Sequence, residues 1–101
     1  MSEAKCKRIA VLGAGSWGTA LGGLLASNGS EVRLWARDCE QASAIDQQHQ
    51  NPRYLPGVDL PETLTGGCDL AEAVQGVDQV WLVLPTKIMG AFLAEHRDVL
   101  P

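Results

Sequence analysis

Apolar positions fall into short runs separated by stretches of mixed character. Arg8-Ile9-Ala10-Val11-Leu12 is a continuous β-rich run that stops at Gly13. With no polar alternation, it suits a strand covered on both faces, as in a parallel sheet. The period then changes: Trp17, Leu21, Leu24 and Leu25 recur at i, i+4, i+7 and i+8. That spacing predicts a helix from Trp17 to Ser27 with these four on its core face, and Asn28-Gly29 supplies the stop. Glu31 to Ala36 is a second strand. Asp38 with Gln41 forms a capping-box pattern that opens a polar helix to about His49.

Residues 50–63 hold three prolines and a glycine and are expected as a loop. Leu64-Thr65 is a very short strand, and Asp69 with Glu72 opens a short helix to about Gln75. Gln79 to Leu84 is a fourth, strongly apolar strand. Pro85-Thr86 ends it, with Thr86 as the cap of a last helix from Lys87 to Arg97. Strands and helices alternating at this spacing predict an α/β fold, the first part of a doubly wound parallel sheet with crossover helices.

Composition narrows the function classes. The 101 residues are 46% hydrophobic and 20% charged, as in a globular chain. A net charge of −4 is a poor footprint for nucleic acid or an anionic membrane surface. No apolar run approaches the roughly 18 to 20 residues of a membrane span. No apolar signal core precedes the first strand, so a cytoplasmic setting is expected. Cys6, Cys39 and Cys68 are widely spaced and form no CxxC or Cys/His cluster. They are expected as reduced, inert thiols, and no metal site is expected.

The chemistry-bearing motif is Gly13-Ala14-Gly15-Ser16-Trp17-Gly18, a G-x-G-x-x-G between a buried strand and a helix with a second strand following. That context is what dinucleotide binding requires. Gly13 allows the tight turn, Gly15 lets backbone approach a pyrophosphate, and Gly18 lets the helix pack closely on the sheet. The amides of Gly15, Ser16 and Trp17 would face the phosphates at the helix N-terminus, where the dipole favours negative charge. Cofactor choice is read at the tip of the second strand. Ala36 offers no carboxylate to ribose hydroxyls, and Arg37 follows with a guanidinium suited to a 2′-phosphate. Asp38 would favour NADH if it faced the ribose, but its cap role turns it into the helix. NADPH is therefore the preferred cofactor expected, with NADH as the other.

Val11 to Leu21 (V-L-G-A-G-S-W-G-T-A-L), Asn28 to Asp38 (N-G-S-E-V-R-L-W-A-R-D), Asn51 to Gly57 (N-P-R-Y-L-P-G) and Val83 to Thr86 (V-L-P-T) together resemble the bacterial-type NAD(P)-dependent glycerol-3-phosphate dehydrogenases. The first and third blocks are far narrower than a bare G-x-G-x-x-G. The resemblance implies an N-terminal Rossmann domain, here truncated within residues 1–101, and a C-terminal helical substrate domain beyond this chain. It implies reduction of dihydroxyacetone phosphate to sn-glycerol 3-phosphate for glycerophospholipid synthesis. Ser16, Trp17 and Arg37 match cofactor-contacting positions, and Tyr54 matches a more variable one. The family's substrate-touching lysines lie further along, so no catalytic residue is expected in this chain. The expected partners are a nicotinamide dinucleotide, the triose-phosphate substrate of the full-length enzyme and a second copy in a homodimer; neither nucleic acid nor a membrane is expected.

The remaining residues are expected to be structural. Trp17 has two readings, a ring over the cofactor or a core anchor, and both stand. Trp35 and Trp81 are expected in the core, Lys87 as a solvated first-turn residue, and His49 and His96 on the surface. Two rival functions stay open: a related β-hydroxyacid dehydrogenase or ketopantoate reductase, and a non-catalytic nucleotide-sensing module.

Overall fold

A computed structural model describes residues 7–84 and 86–99. Four parallel strands form one sheet in the order β3-β2-β1-β4. They are β1 (Arg8–Leu12), β2 (Glu31–Trp35), β3 (Leu64–Gly67) and β4 (Gln79–Leu82). The connecting helices are α1 (Ser16–Ser27), α2 (Cys39–Gln48) and α3 (Leu70–Val74), and α4 (Thr86–Glu95) follows β4. Each predicted element is found. β2 and β4 stop one and two residues short of the expected ends, β3 runs two residues further, and α4 starts at Thr86 itself. The side chains of Thr86 and Lys87, and Cys6, lie outside the described residues.

β1 is buried on both faces, as its uniform apolarity predicts. Ile9 and Val11 join one cluster with Val32, Leu34, Ile45 and Leu64. Ala10 and Leu12 join the other with Trp35, Leu70, Val74 and Phe92. The Trp35 and Phe92 rings meet at 5.4 Å between centroids. Asp38 caps α2 by accepting from the backbone N–H of Glu40 at 2.9 Å, and Asp69 caps α3 by accepting from that of Glu72 at 3.3 Å. The Gln41 half of the expected capping box is absent: its amide points elsewhere, as described below.

Four expectations fail. The buried face of α1 is Gly18, Thr19, Gly22 and Ala26, not the Trp17–Leu25 stripe. Trp17 is 82% exposed and Leu24 59% exposed. The cause is the closeness of helix and sheet: a Cβ on Gly22 would lie 3.2 Å from Leu64 Cδ1 and 3.6 Å from Val32 Cγ1, so no large side chain fits beneath the helix. Trp35 is core, but Trp81 is 39% exposed. β4 pairs with β1 alone among the described strands, so its flank beside Trp81 is not covered. Cys39 and Cys68 are joined as a disulfide with Cα atoms 5.1 Å apart, because the start of α2 lies against the end of β3. His49 and His96 are half-buried, and the His96 ring packs 4.6 Å from that of Phe92.

The register brings the strand ends together. Leu12 is paired with both Trp35 and Leu82, and Trp35 with Gly67. From β1 the chain runs outward through β2 and β3, then crosses back to place β4 on the other side of β1. The carboxyl end of β1 is thus a topological switch point, where open α/β sheets leave a crevice for ligands.

Candidate functional site

The crevice is a cleft of about 450 Å³ lined by Gly13, Ala14 and Gly15 from the glycine loop. Ala36, Arg37 and Asp38 form the β2 side, Arg53 and Tyr54 come from the proline-rich loop, and Val83, Leu84 and Ile88 close the β4 side. It is basic on the side of the β2 tip, where Arg37 stands exposed. Arg53 pairs with the Asp38 carboxylate at 3.3 Å. Asp38 therefore divides its oxygens between the α2 cap and Arg53.

The glycine loop follows from its sequence. Gly13 has φ of +122°, a conformation that side chains resist, and a Cβ there would overlap the Val83 carbonyl. Gly18 carries the helix over the end of β1, where a Cβ would overlap the Gly13 carbonyl oxygen. Gly15 differs: a Cβ there meets no protein atom within 4 Å. The fold has room for a side chain at Gly15, which lines the cleft. No side chain caps α1, and its first intrahelical bond runs from Thr19 N–H to the Gly15 carbonyl at 2.9 Å. The preceding amides, at Ser16, Trp17 and Gly18, have no intrahelical acceptor and form a ready anion site.

Of the seven expected site residues, Gly13, Gly15, Arg37 and Tyr54 line this one cleft. Ser16 adjoins it, with its hydroxyl donating to the Tyr54 carbonyl at 2.8 Å. Gly18 lies buried behind the loop. Trp17 does not line the cleft, and its exposure excludes the core-anchor reading; its ring borders a separate apolar hollow with Ala20, Leu21, Leu24 and Val83. Sequence reasoning missed three residues. Arg53 stood inside the N-P-R-Y-L-P-G block without a role. The sequence pattern gives Gln41 a capping role and places Asn51 in a loop, whereas both donate to the Ala14 carbonyl, at 2.6 and 3.0 Å.

A second hollow of about 300 Å³ lies between β3 and α3, lined by Arg33, Thr65, Asp69 and Gln75 among others. Its guanidinium already donates to the Glu72 and Gln75 carbonyls, at 2.9 and 2.6 Å. Arg33 thus acts as a stitch on the end of α3, and at the helix start that borders the hollow the Asp69 carboxylate already accepts from the Glu72 N–H. Among the described residues, no helix is long and apolar enough to cross a membrane.

Comparison with known proteins agrees with this geometry. The family described as NAD-dependent glycerol-3-phosphate dehydrogenase N-terminus matches residues 8–101. The glycerol-3-phosphate dehydrogenase of Stenotrophomonas maltophilia strain R551-3, named for NAD(P)+, is 54% identical over 83 residues, covering 82% of this chain and 24% of that protein. Its namesake from Geobacillus kaustophilus strain HTA426 is 51% identical over 94 residues, covering 93% of this chain and 27% of that one. The crystal structure of glycerol-3-phosphate dehydrogenase from Coxiella burnetii superposes with a TM-score of 0.86 at 36% identity, over 95% of this chain and 30% of that one. The chain spans about a quarter of the length of the curated relatives it matches. The match in sequence takes in the glycine loop, the β2 tip and the proline-rich loop together, and the fold around them is shared, so the chain belongs to the NAD-dependent glycerol-3-phosphate dehydrogenase N-terminus family.

Proposed function

We propose that this chain is the dinucleotide-binding domain of a cytoplasmic glycerol-3-phosphate dehydrogenase that reduces dihydroxyacetone phosphate to sn-glycerol 3-phosphate for glycerophospholipid synthesis. The observation that carries the reading is Gly15, a glycine that the fold does not need, set in the cleft at the switch point before an uncapped helix start. A cradle of that kind fits a pyrophosphate. The nicotinamide supplies the hydride. The chain's own residues bind and orient: the loop amides hold the phosphates, Arg37 holds the adenosine end, and Tyr54 borders the cleft beside Ser16. A lysine outside these 101 residues polarises the substrate carbonyl. NADPH is preferred because Ala36 presents no carboxylate and Arg37 presents a guanidinium.

The test is kcat/KM of the full-length protein with dihydroxyacetone phosphate and each cofactor, before and after Arg37→Ala. A phosphate–arginine pair contributes roughly 1.5 to 3 kcal/mol, or about ten- to hundredfold. The variant is expected to lose about that factor with NADPH and almost nothing with NADH. Equal losses would mean that the arginine stacks on adenine, and the NADPH preference would fall. Dinucleotide binding without any turnover by the full-length protein would favour a nucleotide-sensing module instead.

A further inference from the structure

Asn51 opens the N-P-R-Y-L-P-G block and is 0% exposed. A buried amide is tolerated when its donors and acceptor are matched. Here they are: Nδ2 donates to the Ala14 carbonyl at 3.0 Å and to Thr19 Oγ1 at 2.7 Å, and Oδ1 accepts from Gln41 Nε2 at 3.4 Å. Gln41 Nε2 also reaches the Ala14 carbonyl at 2.6 Å, and the Thr19 hydroxyl donates to it at 3.3 Å. One carbonyl of the glycine loop thus draws donors from α1, α2 and the proline-rich loop.

That carbonyl belongs to the peptide joining Ala14 to Gly15. In a trans peptide the C=O and the N–H lie in one plane and point in opposite directions. No peptide bond among the described residues is cis. Holding the Ala14 oxygen inward therefore turns the Gly15 N–H outward, and Gly15 lines the cleft. We infer that Asn51, with Gln41 as its second, is a positioning residue for the phosphate loop: it locks the Ala14–Gly15 peptide so that the Gly15 amide faces the pyrophosphate of the bound dinucleotide. This rests on the phosphate-loop reading proposed above. The Ser16 hydroxyl on the Tyr54 carbonyl is a second tie between the same two segments.

Asn51→Asp tests it with no change of size. A carboxylate oxygen replaces the amide nitrogen that now faces the Ala14 carbonyl, so attraction becomes repulsion between two acceptors. The readout is calorimetric affinity of the full-length protein for NADH, ADP and adenosine. An unsatisfied buried group costs enough for about a ten- to hundredfold change. NADH and ADP are expected to weaken by that factor together, while adenosine, which has no phosphate, keeps its affinity. A general softening of the site would weaken all three alike and would overturn the inference, as would unchanged ADP affinity in folded Asn51→Asp. If Asn51→Asp does not fold, half-buried Gln41→Met takes its place, with a smaller but selective loss expected for ADP and none counting against the inference. Failure of the unaltered protein to bind NADH or ADP at all would remove the phosphate-loop reading and this inference with it.

Discussion

The three glycines of the motif divide by what a side chain at each would meet. At Gly13 and Gly18 it would overlap backbone carbonyls, whereas at Gly15, which lines the cleft, it would meet no protein atom within 4 Å. Substitution should therefore separate folding from binding. Gly15→Val is expected to leave the circular dichroism spectrum and melting temperature nearly unchanged and to abolish dinucleotide binding. Gly18→Ala is expected to lower stability by at least about 2 kcal/mol, because backbone rather than a flexible side chain must move. Near-normal NADH affinity in a folded Gly15→Val protein would show that the cleft is not where the phosphates sit. The glycines themselves were legible, since each occupies a fixed place in a short motif. Gln41 and Asn51 were not: their bonds to the Ala14 carbonyl span 27 and 37 positions, and it is the seating of α2 that brings Gln41 there and the path of the proline-rich loop that brings Asn51.

At the scale of elements, periodicity located every strand and helix but misjudged which side of α1 faces the sheet. The signal was real, because Leu25 does pack against the core. What periodicity does not carry is the distance between helix and sheet. The glycine loop holds α1 so close that Gly18, Thr19, Gly22 and Ala26 fill the space, and the larger residues flank it. Trp81 failed for a related reason. It pairs in register with Val11, so the two share a face, but β4 lies at the sheet's edge among the described strands. Two opposite outcomes follow for α1. Gly22→Leu should destabilise by about 1 to 3 kcal/mol, since Leu64 and Val32 stand in the way. Trp17→Ala, at an exposed position, should change stability by no more than about 0.5 kcal/mol despite removing a tryptophan. Urea unfolding of the two variants checks both. A large loss from Trp17→Ala would mean that α1 is rotated toward the face that its sequence suggests.

For the molecule as a whole, the Cys39–Cys68 bond ties the start of α2 to the end of β3 across 29 positions, closing a loop that contains α2 and the proline-rich segment. Sequence spacing gave no sign of it, because the pairing depends on both residues standing at the carboxyl edge of neighbouring strands. Cross-linking a loop of that length restricts the unfolded chain and contributes about 3 to 4 kcal/mol. Neither sulfur lines the cleft, although Asp38, next in sequence to Cys39, does. Stability and binding should therefore respond differently. Cys39→Ser is expected to lose about 3 kcal/mol in urea unfolding, and reductant should bring the unaltered protein down to the same level without affecting the variant. NADH affinity should stay within about twofold in both, since the glycine loop is held by hydrogen bonds rather than by the disulfide. Thiol titration of these 101 residues unfolded without reductant should find one reactive cysteine, Cys6, out of the three present. Three reactive thiols, or a stability indifferent to reductant, would show that the bond does not form in solution. In a reducing environment the thiols would be open, and the fold would rest on its two hydrophobic clusters and the hydrogen bonds that tie its elements together.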